Sequence, residues 1–209
     1  MTSPLTTPRA FMPGTTGWSA HDLDDPDVER EWERGAYEIV EGVLTIMPPA
    51  YFDGSMALQN LIDVLKENFD RAGRRGAFGP EVDLIIGKKR VARVDAVWMS
   101  QSDLDRQKSL NASTGKKRLR YGRLLVPPTL VIESISMGHA DHDRETKRRW
   151  YAEFGVPNYW LLDAYEQTLE CLKLDRTDYA VDCAGRGESE LRPSSFPGLL
   201  IPLRTVWGE

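Results

Sequence analysis

Residues 129–163, TLVIESISMGHADHDRETKRRWYAEFGVPNYWLLD, carry the clearest structural pattern of the chain. Residues 129–135 have the length and the Val/Ile content of a buried strand, which Glu133 interrupts. Residues 141–154 read as a helix that Gly155-Val156-Pro157 stops. Residues 158–163 are again typical of a strand. The segment therefore predicts a strand, a helix and a strand in succession.

The flanking sequence adds two hairpins, a long helix and further strands. Residues 37–47 contain two β-prone runs around Glu41-Gly42, which is typical of a hairpin. Apolar residues recur at helical spacing from Met56 to Phe69. A second hairpin is predicted over 82–86 and 91–99, and strands over 169–174 and 179–183. This order predicts an α/β protein with a central mixed β-sheet flanked by helices and an N-terminal β-hairpin extension.

The composition is that of an ordinary soluble globular protein. The 209 residues are 41% hydrophobic and 28% charged, which excludes collagenous and wholly disordered classes. Residues 1–28 are rich in Thr, Pro, Gly and Asp and predict a flexible leader, with a single domain over 29–209. Two cysteines cannot form a disulfide framework, and the longest apolar runs are too short for a bilayer helix. We therefore expect a cytoplasmic protein with no membrane partner.

The net charge of −5 is unevenly distributed along the chain. Residues 106–132 contain seven basic and no acidic residues, and 111–117 within them have the composition of a loop. Such a segment could follow a nucleic-acid backbone, because phosphate contacts need cations more than a particular sequence. A solvated loop that keeps the chain soluble is the alternative. The candidate nucleic-acid-binding residues are Lys116, Lys117, Arg118, Arg120 and Arg123.

Asp95 and Glu133 each lie inside an apolar predicted strand. A carboxylate there is costly to bury unless a cation or hydrogen bonds offset the cost. On adjacent strands the two acids would repel unless a divalent cation binds between them, and hard oxygen ligands favour Mg²⁺ or Mn²⁺. The alternative is that each acid lies at a strand end in solvent or pairs with an arginine.

Lys147 lies one helical turn after Asp143, on the helix entered from the Glu133 strand. A lysine near a metal-bound water can stabilise hydroxide and the charge that builds on a phosphate during transfer. An ordinary surface pair at i,i+4 is the alternative for these two residues. Two acids, one metal and one lysine are sufficient for phosphodiester hydrolysis.

Five segments together resemble the Uma-two family of restriction endonucleases, within the PD-(D/E)XK nuclease superfamily. The resemblance covers about residues 28–205, and its most specific part is 143–163. The segments are Tyr37 to Leu44, Arg93 to Val97, Val131 to Ser136, Asp143 to Lys147 with Tyr151, and Gly155 to Asp163.

The resemblance implies a restriction-endonuclease-like core with Asp95 and Glu133 as metal ligands. Lys147 would be the catalytic lysine displaced onto the helix, because Ile135 occupies the usual lysine position two residues after the second acid. Glu38 would be a further metal or water contact. Gly54-Ser55 stands where the family often has a histidine.

The sequence thus predicts a Mg²⁺- or Mn²⁺-dependent endonuclease that acts on DNA as a homodimer. Asp95 and Glu133 would hold the ion, Lys147 would assist the attacking water, and Asp143 would orient that lysine. A catalytically silent nuclease fold serving as a nucleic-acid-binding or dimeric scaffold is one alternative, motivated by the missing histidine and the acidic charge. A small-molecule hydrolase is another.

Overall fold

The computed structural model describes residues 10–48, 51–113, 123–135 and 142–209, with the backbone alone for 142–144. Five α-helices lie among these residues: α1 (Pro26–Trp32), α2 (Phe52–Arg71), α3 (Gln101–Ser113), α4 (Arg148–Phe154) and α5 (Leu203–Trp207). The strands are β1 (Tyr37–Val40), β2 (Val43–Ile46), β3 (Gly76–Ile85), β4 (Val91–Ser100), β5 (Leu130–Ser134), β6 (Asn158–Asp163), β7 (Thr168–Asp175), β8 (Asp178–Arg186), β9 (Glu190–Leu191) and β10 (Ile201–Pro202).

The central sheet has eight strands in the order β2-β1-β4-β5-β6-β7-β8, with β3 also paired to β4. Strands β5 and β6 are parallel and the other pairs of this sheet are antiparallel. Strands β9 and β10 form a separate two-stranded sheet. The mixed sheet flanked by helices is confirmed. The predicted N-terminal hairpin is β1–β2, and it joins the central sheet through β4.

Strand β4 shares one of its edges between two neighbours. One edge of β4 is paired along its whole length with β3, from Gly76↔Ser100 to Ile85↔Val91. The opposite edge is the shared one. On the shared edge β1 meets β4 at Val91, while β5 meets it from Ala96 to Trp98. Residues 92–95 therefore lie in a fork where β1 and β5 separate.

Helices cover both faces of the sheet. On one face Leu61 and Phe69 of α2 and Val206 of α5 share a core cluster with strand residues such as Trp160 of β6. On the other face α4 packs through Trp150 and Tyr151 onto Tyr159 and its neighbours. These aromatic residues belong to the core between the helices and the sheet. Within the described part of the chain, none of the helices combines the length and the apolar character needed to cross a bilayer.

The predicted flexible leader is wrong for residues 10–28, while 1–9 lie outside the described residues. Trp18 and Leu23 are buried in a cluster with Trp32 and Ile39. The Trp18 backbone N–H donates to the Gly42 carbonyl at 2.9 Å, so this segment covers the outer edge of the β1–β2 hairpin. Residues 10–28 show no helical or strand periodicity, because only isolated residues anchor them. The sequence therefore contained no pattern from which this packing could be predicted.

Helix α3 was not predicted from the sequence because its buried face is polar. Asp103, Gln107 and Asn111 recur every four residues, and all three are buried. The Gln107 Oε1 accepts the backbone N–H groups of Leu125 and Val126 at 2.9 and 3.1 Å. Residues 111–113, predicted as loop, form its last turn. Ser100 and Asp103 bond reciprocally at its start, a capping pattern that was visible in the sequence.

We expect Gln107→Ala to destabilise the protein by about 1–3 kcal/mol, because two buried backbone N–H groups lose their acceptor. Urea denaturation followed by circular dichroism measures the effect. Gln101→Ala is the matched control, since Gln101 is an exposed glutamine of the same helix. Equal stability of the Gln107 variant and the wild type would contradict the structural role of this side chain.

Candidate active site

The ammonium of Lys147 is the centre of the site. Lys147 is the last residue of a π-helical segment, His142–Lys147, that continues into α4, and π-helical turns are frequent at functional sites. Its Nζ lies 3.0 Å from Glu38 Oε1 and 3.2 Å from Glu133 Oε1. It also donates to the Arg93 carbonyl at 3.3 Å. The side chain therefore joins β1, β4 and β5.

The fork in the sheet explains why these groups meet. At Arg93 the backbone of β4 bonds to side chains instead of to a neighbouring strand on this edge. The Arg93 N–H donates to Glu38 Oε1 at 3.1 Å, and its carbonyl accepts from Lys147. Buried backbone groups must be hydrogen-bonded. Glu38 and Lys147 provide the partners for the Arg93 N–H and carbonyl where β1 and β5 separate.

The electrostatics of the site require all three charges together. Glu38 and Glu133 are 0% and 2% exposed, and Lys147 is 1% exposed. Two carboxylates buried side by side repel each other, and the lysine between them offsets this repulsion. The Tyr151 hydroxyl donates a further hydrogen bond to Glu133. Burial and the charge of Glu133 raise the pKa of Tyr151 well above its usual value, so the hydroxyl stays protonated.

Asp95 lies beside Glu133 across the β4–β5 pair. The register pairs Ala96 with Ile132, so its next step sets Asp95 opposite Glu133. Asp95 Oδ2 accepts the Ser134 N–H at 2.7 Å, which fixes the carboxylate against β5. Asp95, Glu133 and Lys147 all line one cavity of ≈ 650 Å³.

The structure brings together Glu38, Asp95, Glu133 and Lys147, four of the five residues predicted as catalytic. The side chain of the fifth, Asp143, lies outside the described residues. The same holds for His139 and for the side chain of His142. Lys116, Lys117, Arg118 and Arg120 of the predicted nucleic-acid-binding set also lie outside them.

Arg123, the fifth predicted nucleic-acid-binding residue, does not present a free cation. Its side chain is 18% exposed and lies 3.5 Å from Glu29 and 3.8 Å from Asp83. It also donates to the Leu23 carbonyl at 3.0 Å. Arg123 therefore attaches the N-terminal segment to the sheet, and the prediction that it contacts a phosphate backbone is corrected.

The donor set at the cavity suits a hard divalent cation. Asp95 and Glu133 contribute two carboxylates to the cavity wall, and Mg²⁺ is commonly bound by one or two carboxylates with water and substrate phosphate oxygens completing the shell. Over the described ranges there is no cluster of three or more His, Cys, Asp or Glu side chains suited to a metal. The two acids fit an ion that keeps water ligands.

Two positions highlighted by the family resemblance also lie at the cavity. Gly54 and Ser55, at the position where the family often has a histidine, form part of its wall. A Cβ atom on Gly54 would lie 3.0 Å from Ser134 Oγ. Gly54 is therefore next to Ser134, whose backbone N–H binds Asp95. Ile135, which occupies the usual lysine position of the superfamily, lines the cavity as well. The lysine at this cavity is Lys147.

Sequence reasoning did not identify Arg93, Ser134 and Tyr151 as parts of the site. Arg93 and Ser134 act through backbone groups, which no residue type reveals. Tyr151 follows Lys147 by four residues, so the two share one helical face. That spacing was a usable signal for Tyr151.

Comparison with solved structures shows that this fold occurs in another protein. A crystal structure from Anabaena variabilis, described as a putative nuclease, superposes with a TM-score of 0.64 at 16% identity, covering 84% of this chain and 91% of that one. At this identity the similarity establishes a shared fold. The model of the Uma2 family, described as putative restriction endonuclease, matches residues 26–204. The chain belongs to the Uma2 family. No curated protein matches it.

Replacing Lys147 by methionine should destabilise the protein by about 3–5 kcal/mol, because Glu38 and Glu133 would remain buried without a compensating charge. Urea denaturation in EDTA measures this loss. Adding Glu38→Gln to Lys147→Met should recover part of it, since one of the two opposed charges is then removed.

The control for this prediction is Lys66→Met, which removes an exposed lysine 3.8 Å from Asp63. An exposed pair of this kind contributes under about 1 kcal/mol. Equal losses for the Lys66 and Lys147 variants would show that the buried ammonium does not neutralise the two glutamates.

Proposed function

We propose that the protein is a divalent-metal-dependent endonuclease that hydrolyses phosphodiester bonds of DNA. Membership of the Uma2 family and the shared fold support a nuclease in general. The observation that carries the specific proposal is the cavity that Asp95, Glu133 and Lys147 line together. Two acids and a cation in one cavity are the minimum set for this chemistry.

Asp95 and Glu133 would hold Mg²⁺ or Mn²⁺ at this cavity. Their oxygens are the hard ligands such ions prefer, and the Ser134 N–H already orients the Asp95 carboxylate. A bound divalent ion would polarise the phosphoryl oxygen and lower the pKa of a water molecule.

Lys147 would place a positive charge where negative charge builds on the phosphate and would assist the attacking water. Preorganised cations of this kind stabilise the transition state without reorganisation during the reaction. Glu38 and Glu133 hold the ammonium by contacts of 3.0 and 3.2 Å. Glu38 thus acts as a positioning residue. Asp143 would share the role of orienting the Lys147 ammonium with Glu38 and Glu133.

The basic segment, residues 106–132, supports DNA as the substrate. Lys116, Lys117, Arg118 and Arg120 belong to this stretch of sequence, which is rich in basic residues and has no acidic one. These residues would contact the phosphate backbone, which needs cations but no particular base sequence. Cutting both strands with one site per chain favours a two-fold homodimer.

Asp95→Asn should lower plasmid cleavage in Mg²⁺ or Mn²⁺ by about 100-fold or more, the typical effect of removing one group that stabilises the transition state. Asparagine keeps an oxygen that can accept the Ser134 N–H but loses the charge needed for a metal. Conversion of supercoiled plasmid to nicked and linear forms measures the rate, and EDTA should abolish it.

Asp105→Asn is the matched control, because Asp105 is an exposed aspartate on α3 outside the cavity. It should cleave at the wild-type rate. Equal nicking by the wild type and Asp95→Asn would show that the activity does not come from this cavity. A wild type that binds DNA without cutting it would favour the catalytically silent scaffold.

Replacing four cations of the basic segment by glutamine should abolish DNA retention at physiological salt in a gel-shift experiment and leave measurable binding only at low salt. The slope of log affinity against log salt concentration should also become shallower by about 0.9 for each phosphate that the variant no longer neutralises. The four residues are Lys116, Lys117, Arg118 and Arg120.

The control replaces four exposed cations elsewhere and changes the net charge equally. It should bind DNA as the wild type does, whereas equal weakening would show that net charge alone governs binding. Full retention by the basic-segment variant would favour a small-molecule hydrolase. The control residues are Lys66, Arg71, Lys173 and Arg204.

A further inference from the structure

Two large aromatic side chains line the cavity while remaining open to solvent. Tyr51 lies at the start of α2 and is 58% exposed, and Tyr165 lies in the turn between β6 and β7 and is 80% exposed. They come from distant parts of the chain, yet both line the same cavity as Asp95 and Lys147. Exposed apolar surface at a cavity is a feature of ligand-binding grooves.

The dimensions of the cavity limit what can occupy it. A volume of ≈ 650 Å³ lies within the range of small-ligand pockets, which accommodates one or two nucleotides and not a base-paired duplex. Glu133 and Lys147 are almost fully buried. A phosphate has to enter the cavity to reach them, and the backbone of a strand with unpaired bases can do so more readily than that of a duplex.

The lining of the cavity carries both signs of charge. Arg34 lines it with a largely exposed side chain beside its pairing partner Glu31, whereas the Arg93 guanidinium is bound to Asp83 and the Gly35 carbonyl. Glu33, Asp53 and Glu81 line it as well, so a bound divalent cation would have to offset their charge before a phosphate enters. Arginine supplies phosphate contacts, while aromatic faces stack on bases of any sequence. Rings and cations at one cavity form the combination found in grooves for single-stranded nucleic acid.

We propose that Tyr51 and Tyr165 stack on unpaired bases of a DNA strand whose phosphate lies at Asp95, Glu133 and Lys147. The substrate is then a single-stranded region, such as a flap, a bubble or a flipped nucleotide. This inference rests on the proposed nuclease function and adds the strand form of its substrate.

The experiment measures binding by fluorescence anisotropy in EDTA, so that no cleavage is needed. The probes are a labelled oligo-dT, an abasic strand of equal length and a duplex of equal length. The wild type should prefer oligo-dT to both others. The double variant Tyr51→Ala/Tyr165→Ala should lower the preference over the abasic strand by at least about five-fold, since stacking needs bases.

The double variant Tyr51→Phe/Tyr165→Phe should keep the preference, because phenylalanine retains the aromatic face. Phe52→Ala is the matched control: Phe52 is 77% exposed and adjacent to Tyr51 but does not line the cavity. It should bind all three probes as the wild type does.

An unchanged preference in the double alanine variant would overturn the inference, even if the wild type cleaves plasmid. Loss of the preference would support it, even if no DNA is cut, so the two proposals can fail independently. Light scattering is measured in parallel. If the alanine variant changes its oligomeric state and keeps the preference, the tyrosines form a protein interface and the inference is overturned.

Discussion

The buried ammonium of Lys147, bound between Glu38, Glu133 and the Arg93 carbonyl, is the interaction on which the rest of this structure depends. Each of these charges would be costly to bury alone. The ammonium compensates part of the charge of the two glutamates, and the three side chains close the fork where β1 and β5 leave β4. The same contact thus completes the sheet and positions the candidate catalytic cation.

The N-terminal segment reaches this site through Arg93. The Arg93 side chain donates to Asp83 at 2.9 Å and to the Gly35 carbonyl at 2.8 Å. Asp83 in turn accepts the indole N–H of Trp32 at 2.7 Å. Because the backbone of Arg93 contacts both Glu38 and Lys147, the stretch from Trp32 to Gly35 supports the strand that carries the site. The packing of this stretch, which follows the predicted leader, is therefore linked to the geometry of the cavity.

The alternating and continuous apolar runs were enough to predict most strands, since β5 and β6 bury nearly all their side chains and the first half of β7 alternates. Glu133 and Asp95 stood out because a carboxylate within an apolar run needs an explanation. Helix α3 and residues 10–28 gave no such signal. Their stability comes from polar side chains bonded to distant backbone, as at Gln107, or from single anchors such as Trp18.

The sequence alone determined the α/β class, the succession of elements and the two acidic positions, because apolar periodicity and the cost of an isolated charge are local properties. The position of Lys147 one helical turn after Asp143 made it a candidate as well, and resemblance to a family added Glu38. Tertiary structure alone decided that these four side chains meet, that Arg123 faces inward, and that two exposed tyrosines share their cavity. Those outcomes depend on how β1, β4 and β5 pair, and strand pairing joins residues far apart in the chain.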